Sequence, residues 1–174
     1  KKAEAAPTGP APKAAFSSTI VTKKTAGHAV DVDLDITGWK ELHLVANDAG
    51  DGFTCDWADW IEPRLVAADG KETKLTDLKW TTATAEWGGV RVGSNAGGKP
   101  LQVGGKPVAH GIGTHANSLI SYALPADAKF TRFKARAGLD ISVFAAGEQA
   151  RFVLTENAGT KNEAIRTRAL SRKT

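Results

Sequence analysis

The sequence has no methionine and a single cysteine, Cys55. One cysteine excludes an internal disulfide, and the acidic residues around Cys55 oppose the thiolate form that a nucleophile needs. No N-terminal apolar run resembles a signal peptide, and no run is long enough to cross a membrane. We therefore expect a chain without a membrane span that is a processed product or a piece of a longer protein.

The familiar patterns of catalytic chemistry are also missing. No Ser-His-Asp order, HExxH or CxxC pattern occurs. Asp56 and Asp59 could act as the carboxylate pair of a glycoside hydrolase, but such a pair flanks the bond that is cleaved. These two aspartates lie three residues apart in one stretch instead of on different strands across a cleft. We therefore expect a protein that is not an enzyme.

Basic charge is concentrated at the two ends of the chain. The net charge is +4, but residues 1–24 and 161–174 each contribute +4, and residues 25–160 contribute −4. The basic residues form no stripe interleaved with aromatic residues, so nucleic-acid binding is not expected.

The composition leaves room for one folded domain between two polar ends. Residues 1–16 are rich in alanine and proline and predict a linker. Residues 158–174 predict a basic polar tail, which leaves residues 17–157 for the domain. A linker of this kind usually joins modules, so we expect other domains in a larger parent chain that is secreted, periplasmic or displayed at the cell surface.

What the sequence does contain is a repeated alternation of apolar and polar residues. Residues 28–36 read HAVDVDLDI and residues 130–140 read FTRFKARAGLD, so each stretch places its apolar side chains on one face of a strand. Short strands recur between glycine-rich turns, and no amphipathic helix pattern is convincing. The sequence therefore predicts an all-β antiparallel β-sandwich. Pro63, in the apolar stretch 61–67, predicts an edge strand or a bulge because proline cannot donate to a ladder.

Residues 47–60, NDAGDGFTCDWADW, form an unusually acidic stretch. Carboxylates this crowded repel one another unless a cation, backbone N–H groups or solvent relieves them. Carboxylate and main-chain oxygens are the ligands that Ca²⁺ takes, so Asp48, Asp51 and Asp56 are candidate ligands of a structural calcium ion. The alternative is a solvated acidic turn whose aspartates accept local backbone hydrogen bonds.

Tryptophans supply the candidate surface for a sugar, because sugar recognition needs a flat apolar face and a few fixed polar groups. Trp87, beside two glycines, is the best candidate for this platform, and Trp57 is another. Trp57 and Trp60 are three residues apart, so on a strand they face opposite sides, and we expect one in the core and one exposed. Trp80 is expected to be core.

His115 and Asn117 are the candidate polar groups of the same site, since they alternate onto one face just before a well-anchored strand. Asp56 is a further candidate for ligand contact. The alternative for His115 is a structural role, in which it ties a glycine-rich turn to a neighbouring carbonyl.

Two blocks of the sequence form recognisable motifs. Residues 38–65 read GWKELHLVANDAGDGFTCDWADWIEPRL, and residues 75–140 contain GIGTHANS, a Y-x-L strand and a later GLD. As a set these motifs resemble the NPCBM family, carbohydrate-binding module family 51. The resemblance implies a galactose-binding-like jelly roll, a non-catalytic and lectin-like module that often carries a structural calcium ion. It also implies a secreted parent protein that the module targets to a glycan, with a galactose-type sugar as the expected ligand.

The order of the two blocks departs from the family, in which the GIGTHA block comes first and the ADW block last. The sequence favours a circular permutation, because one copy of each block is enough for a closed domain. The alternative is a piece of a longer protein that joins the end of one copy of the domain to the start of the next copy. The family's D-H-A-D-W motif also differs here, since Trp57 stands in place of its histidine. The substitution favours a role for this position in stacking against a ligand.

A β-sandwich that packs against a partner domain and binds no sugar is the competing interpretation. A large exposed aromatic patch without converging polar groups would favour this structural or protein-interaction module. A tryptophan, a histidine and an asparagine around a shallow depression would favour a glycan.

Overall fold

The computed structural model describes residues 16–49, 57–140 and 149–156. Within these ranges the chain forms short β-strands joined by turns, with 3-10 turns at Ala26–His28, Leu75–Asp77 and Ala126–Ala128. The strands are β1 (Phe16–Ser17), β2 (Val21–Thr22), β3 (Ala29–Asp35), β4 (Glu41–Asn47), β5 (Trp57–Ala67), β6 (Glu72–Lys74), β7 (Thr82–Ala85), β8 (Arg91–Val92), β9 (Gln102–Val103), β10 (Lys106–Pro107), β11 (Gly111–His115), β12 (Ser118–Ala123), β13 (Phe130–Leu139) and β14 (Gln149–Thr155). The described ranges contain no helix with the length and hydropathy needed to span a bilayer.

Two antiparallel sheets of six strands each make up the fold. The first sheet has the order β1-β14-β4-β12-β7, and β2 also pairs with β14; the second has the order β3-β13-β5-β11-β8, and β6 also pairs with β5. β9 and β10 form a separate hairpin. The predicted all-β antiparallel sandwich is therefore confirmed.

The main core lies between the two sheets. Trp60 of the second sheet meets Phe152 of the first edge to face, with ring centroids 5.1 Å apart, and it also packs against Phe133 at 6.4 Å. All three rings are fully buried. Aromatic side chains of this size contribute the largest apolar areas to a core, so this trio anchors the contact between the sheets.

The predicted alternation holds along β3 and β13. Val32 and Ile36 are buried while Asp31, Asp33 and Asp35 are exposed. On β13, Phe133, Ala135 and Ala137 join the main core, and the basic residues between them point away from it. The polar sides of these paired strands form part of the face of the second sheet that points away from the core, which we call the outer face.

The prediction that Pro63 lies in an edge strand or at a bulge is confirmed by a bulge, and β5 is not an edge strand. β5 lies in the middle of the second sheet, and Glu62 has a φ of 48°, so the strand loses its regular alternation there. β11 pairs with residues 57–61 of β5 and β6 pairs with residues 64–66. Pro63 therefore falls in the gap between two neighbouring strands, where no ladder needs its missing N–H.

The first and last described strands are neighbours. β1 pairs with β14 so that Phe16 lies opposite Leu154 and Ser17 opposite Val153. The two ends of the described chain therefore leave the sandwich at the same edge of the first sheet. The predicted linker, residues 1–16, and the predicted tail, residues 158–174, lie almost entirely outside the described residues.

Candidate functional site

Three rings form a cluster on the outer face, where β5 begins and β11 ends. The ring centroids of Trp57 and Trp87 are 5.1 Å apart at an angle of 41°, and those of Trp87 and His115 are 5.5 Å apart. Trp57 and His115 are register partners on adjacent strands, with centroids 6.4 Å apart. The strands therefore hold two of the rings in place, and Trp87 is added from the segment between β7 and β8. We call these three residues the aromatic cluster.

Exposure differs sharply within the aromatic cluster. Trp87 is 48% exposed, whereas Trp57 is 7% and His115 is 3% exposed. A Cβ atom on Gly97 would lie 2.6 Å from the six-membered ring of Trp57, so the turn at Gly97 covers that ring. Trp57 and Trp60 do face opposite sides of β5, but the expectation that one of them is exposed is wrong. The cover comes from a turn 40 residues along the chain, which the local pattern could not reveal.

His115 is held as a neutral imidazole with a defined tautomer. Its Nδ1 lies 2.6 Å from the carbonyl oxygen of Ala116, to which Nδ1–H donates. Burial lowers the pKa of His115, while this hydrogen bond and the charge of Glu86 act in the opposite direction. At neutral pH its Nε2 therefore carries a lone pair that can accept a hydrogen bond from a hydroxyl group.

Asn117 joins the aromatic cluster to two carboxylates. Its Nδ2 lies 3.3 Å from Glu86 and 3.4 Å from Asp48, and its Oδ1 accepts from the backbone N–H of Asp48 at 3.1 Å. The backbone N–H of Glu86 in turn donates to the carbonyl of Asn117. The amide therefore fixes the start of the acidic stretch and the residue before Trp87 in one network.

Glu86 is a candidate contact that the sequence did not reveal. It is exposed beside Trp87, bonded to Asn117 and close enough to His115 to act on its pKa. The one signal in the sequence is its position next to the platform tryptophan, and that signal is weak because a glutamate in a loop is usually only solvated.

A family model described as the NPCBM/NEW2 domain matches residues 10–66 and 71–172, which is most of the chain. The chain belongs to the NPCBM/NEW2 family. NPCBM is a family of carbohydrate-binding modules that are generally non-catalytic and typically occur in extracellular proteins. Comparisons with curated proteins and with solved structures gave no match.

The two blocks of this NPCBM domain come together in the structure. Residues of the ADW block on β5 pair with residues of the GIGTHANS block on β11, including Trp57 with His115 and Asp59 with Gly113. Of the predicted contacts, Trp87, His115, Trp57 and Asn117 thus share one region. Asp56, predicted for both ligand and metal, lies outside the described residues.

The acidic residues of the NPCBM domain divide into two groups. Asp48 is buried next to Asn117, while its predicted partners Asp51 and Asp56 lie outside the described residues. Asp59, on the outer face two residues after Trp57, is buried with Asp140, whose backbone N–H donates to the carbonyl of Trp57. Within residues 16–49, 57–140 and 149–156, no three His, Cys, Asp or Glu side chains converge as a metal site.

Proposed function

We propose that this domain is a non-catalytic module that binds a glycan at the aromatic cluster. The observation that carries the proposal is Trp87, a 48% exposed ring that packs on the two buried rings Trp57 and His115. A supported ring keeps its orientation in the free protein, so little ordering is needed when a sugar stacks on it. His115, Asn117 and Glu86 supply an acceptor, an amide and a carboxylate beside the same ring.

A galactose-type sugar suits a platform of one exposed ring. The hydrogens on C3, C4 and C5 of galactose share one face of its ring, so this sugar offers a continuous apolar patch to a tryptophan. The axial hydroxyl then points to the side, where polar groups at the edge of the platform can accept or donate. We further propose that the domain directs a larger exported protein to such glycans.

The test is a glycan array at physiological salt with excess Ca²⁺. Binding to terminal galactose should be lost or weakened at least thirtyfold in Trp87→Ala, since a central aromatic contact contributes about 2 kcal/mol. Ile20→Ala removes another exposed apolar side chain and should leave binding unchanged. A folded wild-type protein that binds no glycan would support the structural or protein-interaction module instead.

We also propose a structural Ca²⁺ ion in the acidic stretch, with Asp48, Asp51 and Asp56 as its ligands. Asp48 suits this role because its carboxylate is buried and its backbone is fixed by Asn117. A bound ion would supply positive charge among the carboxylates and hold the stretch next to the aromatic cluster. Ca²⁺ should raise the melting temperature and EDTA should lower it, and Asp51→Asn with Asp56→Asn should reduce the difference.

A circular permutation of the family order is our third proposal. One chain pairs both blocks within itself, since β5 pairs with β11 and β13, and β1 lies beside β14. The two matched segments meet between residues 66 and 71, at the turn from β5 to β6. A chain with joined ends that is reopened at this turn should fold and bind as the original does. If that chain failed to fold, the result would favour the alternative, in which the sequence joins the end of one copy of the domain to the start of another.

A further inference from the structure

The first sheet is buried on both faces along its three central strands, β14, β4 and β12. Its inward residues, such as Leu44 and Ile120, belong to the main core. The residues that alternate with them point away from the core, and six of these are buried as well. We call these six residues the covered strip: His43, Val45, Leu119, Ser121, Val153 and Thr155.

Neighbours within a sheet do not by themselves bury a side chain completely, because each side chain stands roughly perpendicular to the sheet. Val45 is nevertheless 0% exposed, and Val153 and Leu119 are 4% and 6% exposed. These three residues form an apolar cluster of their own, and no partly buried apolar side chain of the described ranges packs against it. A further layer of atoms therefore covers the strip.

The covered strip is about as wide as one segment of chain. On one side of it Ser17 of β1, which lies opposite Val153, is exposed. On the other side Thr82 and Thr84 of β7 are exposed. Three strands spaced about 4.8 Å apart span about 10 Å, which is close to the diameter of one helix. One segment of the chain is therefore enough to cover the strip.

Burial along the covered strip increases toward the end at which the chain leaves β14. Thr155 is fully buried there, whereas Asn47 and Arg151 at the opposite end are only half-buried. Segments 50–56 and 141–148 connect to β4 and β14 at this less buried end. The gradient therefore favours a cover that joins the sheet at the other end, which is either the chain before β1 or the chain after β14.

Composition distinguishes these two segments of the chain. Residues 1–15 contain no apolar side chain larger than alanine or proline, whereas residues 157–174 contain Ile165 and Leu170. A surface of valine and leucine side chains is covered most completely by side chains of similar size, which pack against it without voids. The composition therefore favours the segment after β14.

Two further observations agree with this choice. Residues 157–174 contain five basic residues and one acidic residue, and the exposed Glu41 and Glu156 lie at the fully buried end of the strip. Charges of opposite sign thus meet at that end. The family model also extends to residue 172, well beyond the last described strand.

We propose that residues 157–174 pack across the covered strip, with Ile165 and Leu170 against its apolar cluster. The segment is then part of the folded domain and adds a third layer to the sandwich. It shields a surface of the first sheet that would otherwise expose valine and leucine side chains to solvent. This contact does not depend on sugar binding.

The test measures the reactivity of a single thiol in the full chain, in a background in which Cys55→Ser removes the native cysteine. Val45→Cys places the thiol in the covered strip, and Thr84→Cys places it on the exposed neighbouring strand. Val32→Cys, at a core position that is 2% exposed, reports global unfolding. A maleimide should react with the thiol at position 84 about 100-fold faster than with the thiol at position 45, because reaction at position 45 requires local opening.

Ile165→Asp with Leu170→Asp is the test pair, and Asn162→Asp with Thr167→Asp is its charge-matched control. The test pair should raise the rate at position 45 about tenfold, since it places carboxylates against an apolar surface. The rate at position 32 should stay low, which separates uncovering of the strip from unfolding. The control pair should change the rate at position 45 less than about twofold.

A milder pair, Ile165→Ala with Leu170→Ala, keeps the test decisive if the aspartates prevent folding. It should raise the rate at position 45 about threefold by removing apolar contact. The proposal is overturned if the thiol at position 45 reacts as fast as the one at position 84, or if neither pair at 165 and 170 exceeds the control. Uncovering by Ala11→Asp with Ala14→Asp alone would also overturn it and would assign the cover to residues 1–15.

Discussion

Aspartates on two strands of the second sheet, β3 and β5, have opposite environments. On β3, Asp31, Asp33 and Asp35 are exposed, with Arg132 Nε 2.7 Å from Asp33 and Arg136 Nε 3.4 Å from Asp31. Asp59 of β5, in contrast, is buried beside a second acid, and no arginine or lysine of the described residues pairs with it.

The difference shows that the neighbouring strand decides what an acidic residue does. β13 pairs with both β3 and β5. It places Arg132, Lys134 and Arg136 opposite β3, but Gly138 lies opposite Asp59, with Asp140 just beyond the strand. An exposed ladder of opposite charges contributes little to stability because solvent screens it. The burial of Asp59 beside a second buried acid has a large electrostatic cost.

The largest expected effect comes from closing the space beside Asp59. Gly113→Ala places a methyl group against the backbone of Ser94 and Asn95, which cannot move without shifting the turn over the outer face. Chemical denaturation should show a loss of about 3 kcal/mol in the free energy of unfolding.

Gly89→Ala is the control for this substitution, because the nearest atom to its Cβ would be 3.9 Å away. Its effect should stay below about 0.5 kcal/mol. Equal effects of the two substitutions would contradict the close approach at Gly113.

The second prediction removes one carboxylate from β5 and one from β3 and compares the free energies of unfolding in the presence of EDTA. The pKa of Asp59 is higher in the folded protein than in the unfolded chain, where it is about 3.8. Protonated Asp59 therefore contributes its full stability below pH 3.8, and this contribution is lost as the pH rises through the folded pKa. Asp59→Asn should therefore stabilise the metal-free protein at pH 8 by about 1 kcal/mol or more, because its amide can donate to Asp140.

Asp33→Asn should do the opposite, because it removes an exposed ion pair. Its free energy of unfolding should fall by less than about 1 kcal/mol. If both substitutions changed stability in the same direction, the contrast between the two regions would not hold.

The third prediction concerns the charge beside the platform. Glu86 should repel sialylated or sulfated glycans, so a neutral galactoside should bind about tenfold more tightly than its anionic counterpart at low salt. Glu86→Gln should narrow this ratio, and Glu62→Gln, at the exposed bulge, should not. Calorimetry with paired neutral and anionic oligosaccharides measures both ratios, and an unchanged ratio in Glu86→Gln would remove Glu86 from the site.

The smallest effect is the pH dependence of His115. Its folded pKa is lowered, so its contribution to stability is present above pH 6.5 and is lost as pH falls through the folded pKa. Galactoside affinity should be constant from pH 8 to pH 6.5 and should fall a few-fold in more acidic buffer, as Nε2 gains a proton. His115→Gln, which keeps an acceptor, should give a flatter profile in the same calorimetric titration.

The sandwich and its inward faces could be predicted from sequence because strand alternation is a local property. Val32 and Phe133 occupy core positions that follow from a period of two. Pro63 shows the limit of this reasoning, since a bulge is local but the position of a strand within its sheet depends on partners such as β11 and β6.

The candidate site was predicted in part. Trp87, His115 and Asn117 stand out by residue type and by the glycines or strands next to them. The burial of Trp57 depends on Gly97, and the environment of Asp59 depends on Gly113, Gly138 and Asp140. Such long-range contacts leave no trace in a local window of the sequence.

The aromatic cluster also has an optical consequence. Two indole rings whose centroids are 5.1 Å apart and whose planes meet at 41° have coupled electronic transitions. Coupled transitions at an oblique angle give a circular dichroism couplet, and its size depends on the angle between the rings. A ligand that stacks on Trp87 and rotates it by even a small amount changes that couplet. The domain therefore contains its own chromophoric reporter, and binding can be followed on the unlabelled protein.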